Sequence, residues 1–491
     1  MKKIIFLFLT LLTLTSCLND FLQLKPVSET YSANFWKTEA SAQTVFTSIY
    51  ADMQKNFNSS VGQGLNYIGW YEMRSDNFYG SLTQNAYPFG QININNIGTT
   101  HPCADWNVWY KSIGSANTAL YFIPTIPDLT DLERNKLLAE AYFLRAYCYF
   151  NIVRIWGDAP IVTKPCLTFN DVTRPARDSS KLIMDSVIMK DLYKSMKLVD
   201  INQTDIYRFN AGALYSLATD VAMWNHNYAL ADSCSNILIN NATYKARYTL
   251  VTAPVFYTVV STATTSENIW TLKWSYANNG YNVIVQNLTL PGILVSKEVR
   301  DIWSSAEWSL DARRTQTIDM STVYTTTYLS NTTVIGAAMW KYQPVTRFPN
   351  NTNEKYIPLY RLADIILLRA EALNKLGRYP EALTELNKIR TRAGLPGRLI
   401  TDYSSATDKT YAIESDILLE RRFELLGEGK RWFDLMRTGR AMTTMNAYFD
   451  AYLKPGGVTN YKPFTDSWQL YWPVLQNNIN ENGNLKQTGQ Y

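Results

Sequence analysis

The stretch from Pro358 to Gly439 constrains the fold most, because its apolar residues recur at helical spacing. Leu359–Gly377 places apolar side chains three and four positions apart, and its Ala and Leu residues favour a helix. A second periodic run extends from Pro380 to Gly394, so that Gly377 and Gly394 are plausible helix stops. The two helices are predicted to form an antiparallel hairpin, similar to a tetratricopeptide unit.

A third predicted element, Glu414–Gly439, begins with a helix and is rich in charge. Glu420, Glu424 and Glu428 are four residues apart and share one face, with several arginines beside them. We expect these glutamates to form ion pairs rather than to act as catalytic acids, because the arginines hold them ionised. A turn is predicted at Gly427–Gly429.

Three ordered motifs in this part of the chain carry a resemblance to a known family: YRLADIILLRAEALNKLG, EALTELNKIRTRAGLP and LLERRFELLGEGKRWFDLMRTG. Together they resemble the signature segments of the SusD/RagB family, the surface nutrient-binding lipoproteins of Bacteroidetes. EAYFLRAYCYFNIVRIWGDAPIV, earlier in the chain, resembles a further family signature. The resemblance covers nearly the whole chain, and it is strongest at 104–165 and 355–440 and weakest at 55–103 and 240–345.

The resemblance implies a mainly α SusD-like fold, in which tetratricopeptide-like hairpins form a scaffold for long irregular loops and a few short strands. Residues 17–491 are expected to form a single domain, because no low-complexity linker or charge block divides them. The helical scaffold is predicted at about 31–55, 104–240 and 355–440. The loop-rich, ligand-binding part is predicted at about 56–103 and 241–350.

Residues 1–16 are predicted to be a lipoprotein signal peptide. Two lysines precede an apolar run that is too short to span a bilayer, and the run ends in Leu-Thr-Ser before Cys17. This pattern resembles a lipobox, which implies cleavage before Cys17 and acylation of that residue. The alternative is an ordinary signal peptide with a chance cysteine. Acylation would tether the protein to the outer membrane.

Composition excludes several classes of function. The formal net charge is +5, and the chain has no basic run or nucleic-acid module, so nucleic acid is not an expected partner. His101 and His226 are far apart and lack metal-ligand spacing, so we expect no metal and no cofactor. Three disulfide pairings remain open for the cysteines after Cys17, although Cys148 is expected in the core: Cys103, Cys148, Cys166 and Cys234.

Aromatic residues are the informative excess, with 33 Tyr, 14 Trp and 19 Phe, and many lie in polar stretches. Asn66–Ala104 is such a stretch without helical period, and long irregular segments are usually functional. Sugar rings stack on aromatic side chains while polar neighbours bond hydroxyls, so we expect ligand contacts here and near residues 268–281. The candidates are Trp70, Tyr71, Arg74, Asp76, Asn77 and Tyr79 in the first segment and Trp274, Tyr276, Asn278 and Tyr281 in the second. Core packing is the alternative for each aromatic, and it is favoured for Trp106, Trp270 and Trp432.

The resemblance implies a non-enzymatic protein on the outer face of the outer membrane. It would capture oligosaccharides and deliver them to a SusC-like, TonB-dependent transporter. Peptide capture with the same transporter is an alternative. A surface glycoside hydrolase is a more distant one, since it needs two carboxylates in a cleft, and only Glu72 and Asp76 form such a pair in an aromatic segment.

Overall fold

The computed structural model describes residues 34–58, 65–80, 89–261, 265–275, 282–289, 293–328, 332–342 and 355–491. The longer helices are α1 Glu39–Asn58, α2 Asn107–Phe122, α3 Asp131–Trp156, α4 Met189–Leu198, α5 Ala211–Trp224, α6 Tyr228–Asn240, α7 Lys297–Ser304, α8 Leu362–Lys375, α9 Tyr379–Ala393, α10 Lys409–Glu424, α11 Arg431–Arg437 and α12 Ala441–Tyr448. Shorter helical segments are Leu65–Tyr67, Ile68–Glu72, Phe89–Asn93, Pro102–Ala104, Ile123–Thr125, Phe169–Asp171, Ser180–Ile183, Met184–Ile188, Ala242–Arg247, Ala253–Val255, Thr258–Ser261, Val283–Leu288, Arg314–Thr317, Ile400–Tyr403, Phe449–Leu453, Ser467–Leu470 and Gln476–Glu481. Within the described ranges, none of the helices has the length and apolar character needed to cross a membrane.

The helices begin and end where side-chain chemistry satisfies their terminal backbone groups. Thr130 and Glu133 form a capping box at the start of α3, and Asn227 accepts from the Leu230 N–H at the start of α6. Gly394 ends α9 in the left-handed conformation. The mainly α fold expected from the sequence is confirmed.

Antiparallel hairpins form the scaffold. α8 packs against α9, α5 against α6 and α2 against α3, while α6 also contacts α8 and joins two of the hairpins. The predicted hairpin at 359–394 is confirmed except at its start. Residues Leu359–Arg361 belong to a strand, because the backbone there pairs with residues near 268 instead of entering the helix.

Two antiparallel sheets complete the described part of the chain. Their strands are β1 Phe78–Gly80, β2 Asn268–Leu272, β3 Ile293–Ser296, β4 Tyr324–Tyr328, β5 Thr332–Ala337 and β6 Ile357–Arg361. The four-stranded sheet has the order β1-β3-β5-β4, and β2 pairs with β6. Leu272 lies opposite Ile357, so the chain leaves β2 and enters β6 at the same end of the two-stranded sheet.

The segment Asn66–Ala104 differs from the expected irregular loop where the structure describes it. It contains short helical segments and β1, and most of its described residues are buried. Asparagine side chains make this possible: Asn93 Nδ2 donates to the Met73 and Phe78 carbonyls, and Asn93 Oδ1 accepts from the Gly80 N–H. The polar residues of this segment suggest a surface loop. In the structure, polar side chains such as Asn93 instead form hydrogen bonds with buried backbone groups.

The predicted core positions are confirmed for Trp106, Trp270 and Trp432, whose side chains are all buried. Cys148 is buried within α3, as expected. The four cysteines in the described part of the chain are free thiols: Cys103, Cys148, Cys166 and Cys234. Cys17 lies outside the described residues.

Gly429→Ala is expected to destabilise the protein more than Gly377→Ala. Both glycines have positive φ, 76° and 75°, so alanine costs about 1–2 kcal/mol at either position. At Gly429 an added Cβ would also lie 3.0 Å from the Tyr67 hydroxyl and 3.1 Å from the Tyr71 Cβ, whereas nothing lies within 4 Å at Gly377. We expect this crowding to cost about 1–3 kcal/mol more in the free energy of unfolding, measured with urea and tryptophan fluorescence. Equal losses in the two variants would contradict this packing.

Candidate functional site

Asp76 lies in the interior between two arginines. Arg431 Nε and Nη2 donate to its two carboxylate oxygens at 2.9 and 2.8 Å, and Arg422 Nη2 lies 3.1 Å from Oδ2. Burial by itself raises the pKa of Asp76, but the two guanidinium groups lower the pKa well below its ordinary value. The carboxylate therefore stays ionised and ties the turn that precedes β1 to α10 and α11.

The other candidates of the first segment are buried as well, with exposed fractions of 0–5 %. Arg74 stacks 4.7 Å above the Trp432 ring, and Asn77 Oδ1 accepts from Arg422 Nε at 2.9 Å. Trp70 Nε1 donates to the Cys103 carbonyl, and the Tyr71 hydroxyl donates to Asn151 Oδ1. Tyr79 is buried in β1.

The second segment is described only in part. Trp274 is buried in the core, 2 % exposed. Tyr276, Asn278 and Tyr281 lie outside the described residues.

Core packing, the alternative for each aromatic candidate, therefore describes the positions of Trp70, Tyr71, Tyr79 and Trp274. Their rings fill the interior between helices and strands, where removing apolar area from water stabilises the fold. A ligand role for the candidates of both segments stays a prediction, and the contacts described for the buried ones are internal.

Glu424, the last residue of α10, lies at the centre of a buried ion network. Arg313 Nη1, Arg361 Nη1 and Arg392 Nη2 approach its carboxylate at 2.7, 2.5 and 2.5 Å. Burial raises the pKa of Glu424, but these three guanidinium groups lower it well below its usual range. The prediction that the glutamates of this helix form ion pairs is confirmed. We call this set the Glu424 network: Glu267, Arg313, Lys341, Arg361, Arg392, Glu424 and Glu428.

Glu72 lies beside the predicted turn, where the Gly429 N–H donates to its Oε1. Its Oε2 has no hydrogen-bond partner among the described residues. Burial raises the pKa of Glu72 to about 8, against the opposing effects of the Gly429 N–H and Lys341. Glu72 and Asp76 are both buried, so the carboxylate pair of the hydrolase alternative is not arranged in an open cleft.

A cavity of about 30 Å³ adjoins this turn. It is lined by Phe57, Tyr67, Tyr71, Tyr147, Arg154, Pro358, Leu359, Tyr360, Glu428, Gly429 and Lys430. Such a space holds about two water molecules at most, whereas small-molecule sites usually measure ~300–1,000 Å³. This cavity is therefore too small to hold an oligosaccharide or a peptide.

Two partly exposed tyrosines meet at the end of the β2–β6 sheet. The rings of Tyr207 and Tyr356 have centroids 6.0 Å apart and planes inclined by 32°. The Lys273 Nζ, on an exposed side chain, lies 5.3 Å from the Tyr207 ring centroid. We call Tyr207, Tyr356 and Lys273 the tyrosine platform.

Backbone contacts fix the tyrosine platform to the scaffold. The Thr271 N–H of β2 donates to the Ile206 carbonyl, and the Tyr356 N–H donates to the Val260 carbonyl, both at 2.9 Å. Gln54 Nε2 of α1 donates to the Lys273 carbonyl. Rings held in this way can receive a ligand without a large ordering cost.

Sequence reasoning missed the platform because its members come from three distant segments. Only Lys273 could have been identified as exposed from the sequence. It lies between the buried residues Leu272 and Trp274, and strand alternation turns its side chain away from that of Trp274. Nothing in the sequence near Tyr207 or Tyr356 indicates that the two rings meet.

Two family models match separate parts of the chain. The SusD family model matches residues 263–491, and a model described as starch-binding, associating with the outer membrane, matches residues 20–223. A SusD-like protein of Formosa agariphila is 28% identical over 531 aligned positions, which cover 100% of this chain and 99% of the relative. The chain belongs to the SusD/RagB family. SusD proteins associate with the outer membrane and bind carbohydrate.

Another SusD relative and two solved structures agree with this assignment. The starch-binding protein SusD of Bacteroides thetaiotaomicron is 32% identical over 135 residues, 28% of this chain and 21% of that protein. A SusD superfamily structure from Parabacteroides distasonis superposes with a TM-score of 0.75 at 21% identity, covering 92% of this chain and 99% of the other. Bacteroides fragilis NanU gives 0.73 at 20% identity, with coverage of 95% and 100%. The structural likenesses establish the SusD fold.

Glu72→Gln is expected to remove a pH-dependent loss of stability. The raised pKa means that the folded state keeps a proton which the unfolded state releases near pH 4.5, so stability falls as the pH rises from about 4.5 to 8. In that window each pH unit costs about 1.4 kcal/mol in the free energy of unfolding. Urea unfolding from pH 5 to 8 should show that the free energy of unfolding changes less with pH in Glu72→Gln than in the wild type.

The exposed control variant Glu39→Gln should show the same pH dependence as the wild type. Parallel profiles for Glu72→Gln and wild type would contradict a protonated Glu72.

Proposed function

We propose that this protein captures oligosaccharides at the cell surface and delivers them to a SusC-like, TonB-dependent outer-membrane transporter. It acts as a binding protein and leaves the ligand uncut. The lipid on Cys17 anchors it to the outer membrane, facing the cell exterior.

The single observation that carries this proposal is the match of residues 20–223 to a family model of starch-binding proteins that associate with the outer membrane. The local sequence similarity to the starch-binding protein SusD supports the same ligand class. The structure adds rigid helical hairpins and partly exposed rings at the end of a sheet, which suit the capture of a ligand with apolar faces.

Glycan binding is tested with the full-length protein purified in detergent. We expect binding to at least one glycan on an array of plant, algal, fungal and host oligosaccharides, and calorimetry then gives the affinity. Chromatography of the ligand after incubation should show an unchanged chain length, because the proposed function includes no bond cleavage. A parallel peptide array covers the alternative ligand class.

Each other outcome has a definite meaning. Binding to peptides and not to glycans would overturn the ligand class and favour the peptide-capture alternative. A shortened oligosaccharide would contradict the non-enzymatic proposal. Failure to bind either class would contradict capture altogether.

The anchor and the transporter are tested together in the native cell. The tagged protein is expected in the outer-membrane fraction, and its detergent extract should contain a TonB-dependent transporter that co-purifies with it. Cys17→Ala should abolish membrane retention, because a single cysteine carries the proposed acyl chains. Retention of the Cys17→Ala variant in the membrane would contradict the lipid anchor. If no TonB-dependent transporter co-purifies with the wild-type protein, the proposed partnership is contradicted.

A further inference from the structure

We propose that the tyrosine platform is a saccharide-binding subsite and that it prefers a sugar bearing a carboxylate or a sulfate ester. This inference rests on the proposed function and names the position and ligand class of one subsite. Its members were not among the candidates indicated by the sequence.

The first step of the argument is the shape of the ring pair. A pyranose ring has an apolar face of C–H groups that packs on an aromatic ring, while its hydroxyls need polar partners. Tyr207 and Tyr356 are both partly exposed, with ring centroids 6.0 Å apart and planes inclined by 32°, so the exposed part of this ring pair offers aromatic surface for a sugar face. A tyrosine hydroxyl both donates and accepts hydrogen bonds, as recognition of sugar hydroxyls requires.

The second step is the protonation of Tyr207. Burial, with smaller contributions from Tyr356 and Asp205, raises the pKa of the phenol above its ordinary value. A tyrosine hydroxyl is neutral at physiological pH even at its ordinary pKa of about 10, and this shift moves the pKa further from physiological pH. A neutral ring also carries no charge that would repel an anionic ligand.

The third step is the state of Lys273. Three other lysines that lie over aromatic rings also pair with a carboxylate: Lys297 over Tyr452 with Asp301, Lys430 over Tyr360 with Asp364, and Lys341 over Phe256 with Glu428. Lys194, over Tyr142, has no ion pair among the described residues. In the part of the chain that the structure describes, Lys273 has no such carboxylate partner. Its ammonium group is available to a charged ligand that rests on the Tyr207 ring.

A second lysine strengthens the positive character of this end of the sheet. Lys355 precedes Tyr356, is partly buried, and has no carboxylate partner within the described ranges. Burial lowers its pKa, so a ligand anion would favour its charged form. Asp205 is the acidic residue of the Tyr207 turn, and its Oδ1 already accepts from the Tyr207 N–H at 2.8 Å.

The test compares matched glycans that differ in charge. Carrageenan oligosaccharides are paired with the same oligosaccharides after chemical desulfation, and galacturonate oligomers are paired with their methyl esters. The full-length protein is titrated with each. Tyr207→Ala and Tyr356→Ala are each expected to weaken binding about two- to tenfold, the equivalent of one lost stacking contact.

Lys273→Met isolates the charge preference. We expect it to weaken the binding of the anionic member of a pair severalfold, to reduce the salt dependence of that binding, and to leave the neutral member unchanged. Lys273 is exposed, so this variant tests the proposal even if a tyrosine variant does not fold. Tyr452→Ala is the matched control, since Tyr452 is also partly exposed beneath a lysine, and it should bind as the wild type does.

Three results would overturn the inference. If the wild type binds glycans and both tyrosine variants keep its affinity, the subsite is elsewhere while the proposed function stands. If the neutral and anionic members bind equally and Lys273→Met has no effect, the charge preference is wrong. If the wild type binds no glycan on the array or in solution, the proposed function fails and this inference fails with it.

Discussion

The buried ion pairing of the Glu424 network is the constraint on which the rest of the structure depends. Several guanidinium groups and carboxylates from distant parts of the chain are buried together, and removing one partner would leave an uncompensated buried charge. Such a loss typically costs about 3–5 kcal/mol. Arg361 ends β6, and Glu267 immediately precedes β2, so the network fixes one end of the two-stranded sheet to the helices α9 and α10.

The opposite end of the same sheet carries the tyrosine platform. Lys273 follows β2 and Tyr356 precedes β6, roughly 17 Å from the network for a five-residue strand. The end of the sheet at the Glu424 network is therefore buried and stabilised by ion pairs. The end at the tyrosine platform is partly exposed and rich in aromatic and cationic groups. A binding surface supported in this way needs little rearrangement when a ligand arrives.

The helices could be predicted because local patterns specify them. The apolar spacing of the α8–α9 hairpin and the charge pattern of α10 can each be recognised within a short stretch of sequence. The predicted hairpin and the predicted ion pairs are both confirmed. The first aromatic segment could not be predicted in the same way. Asp76 and Asn77 look like surface polar residues, and only the three-dimensional structure shows that Arg422 and Arg431 reach them from the far end of the chain. The ring pair of Tyr207 and Tyr356 depends on similarly distant contacts.

A crystal structure of the full chain with a bound oligosaccharide tests the account most directly. The ligand should be an anionic oligosaccharide that the array identifies. We expect a sugar ring on Tyr207 and Tyr356, its anionic group near the Lys273 Nζ, an intact ligand chain and an unchanged Glu424 network. A sugar bound at another surface, with the tyrosine platform empty, would contradict the account.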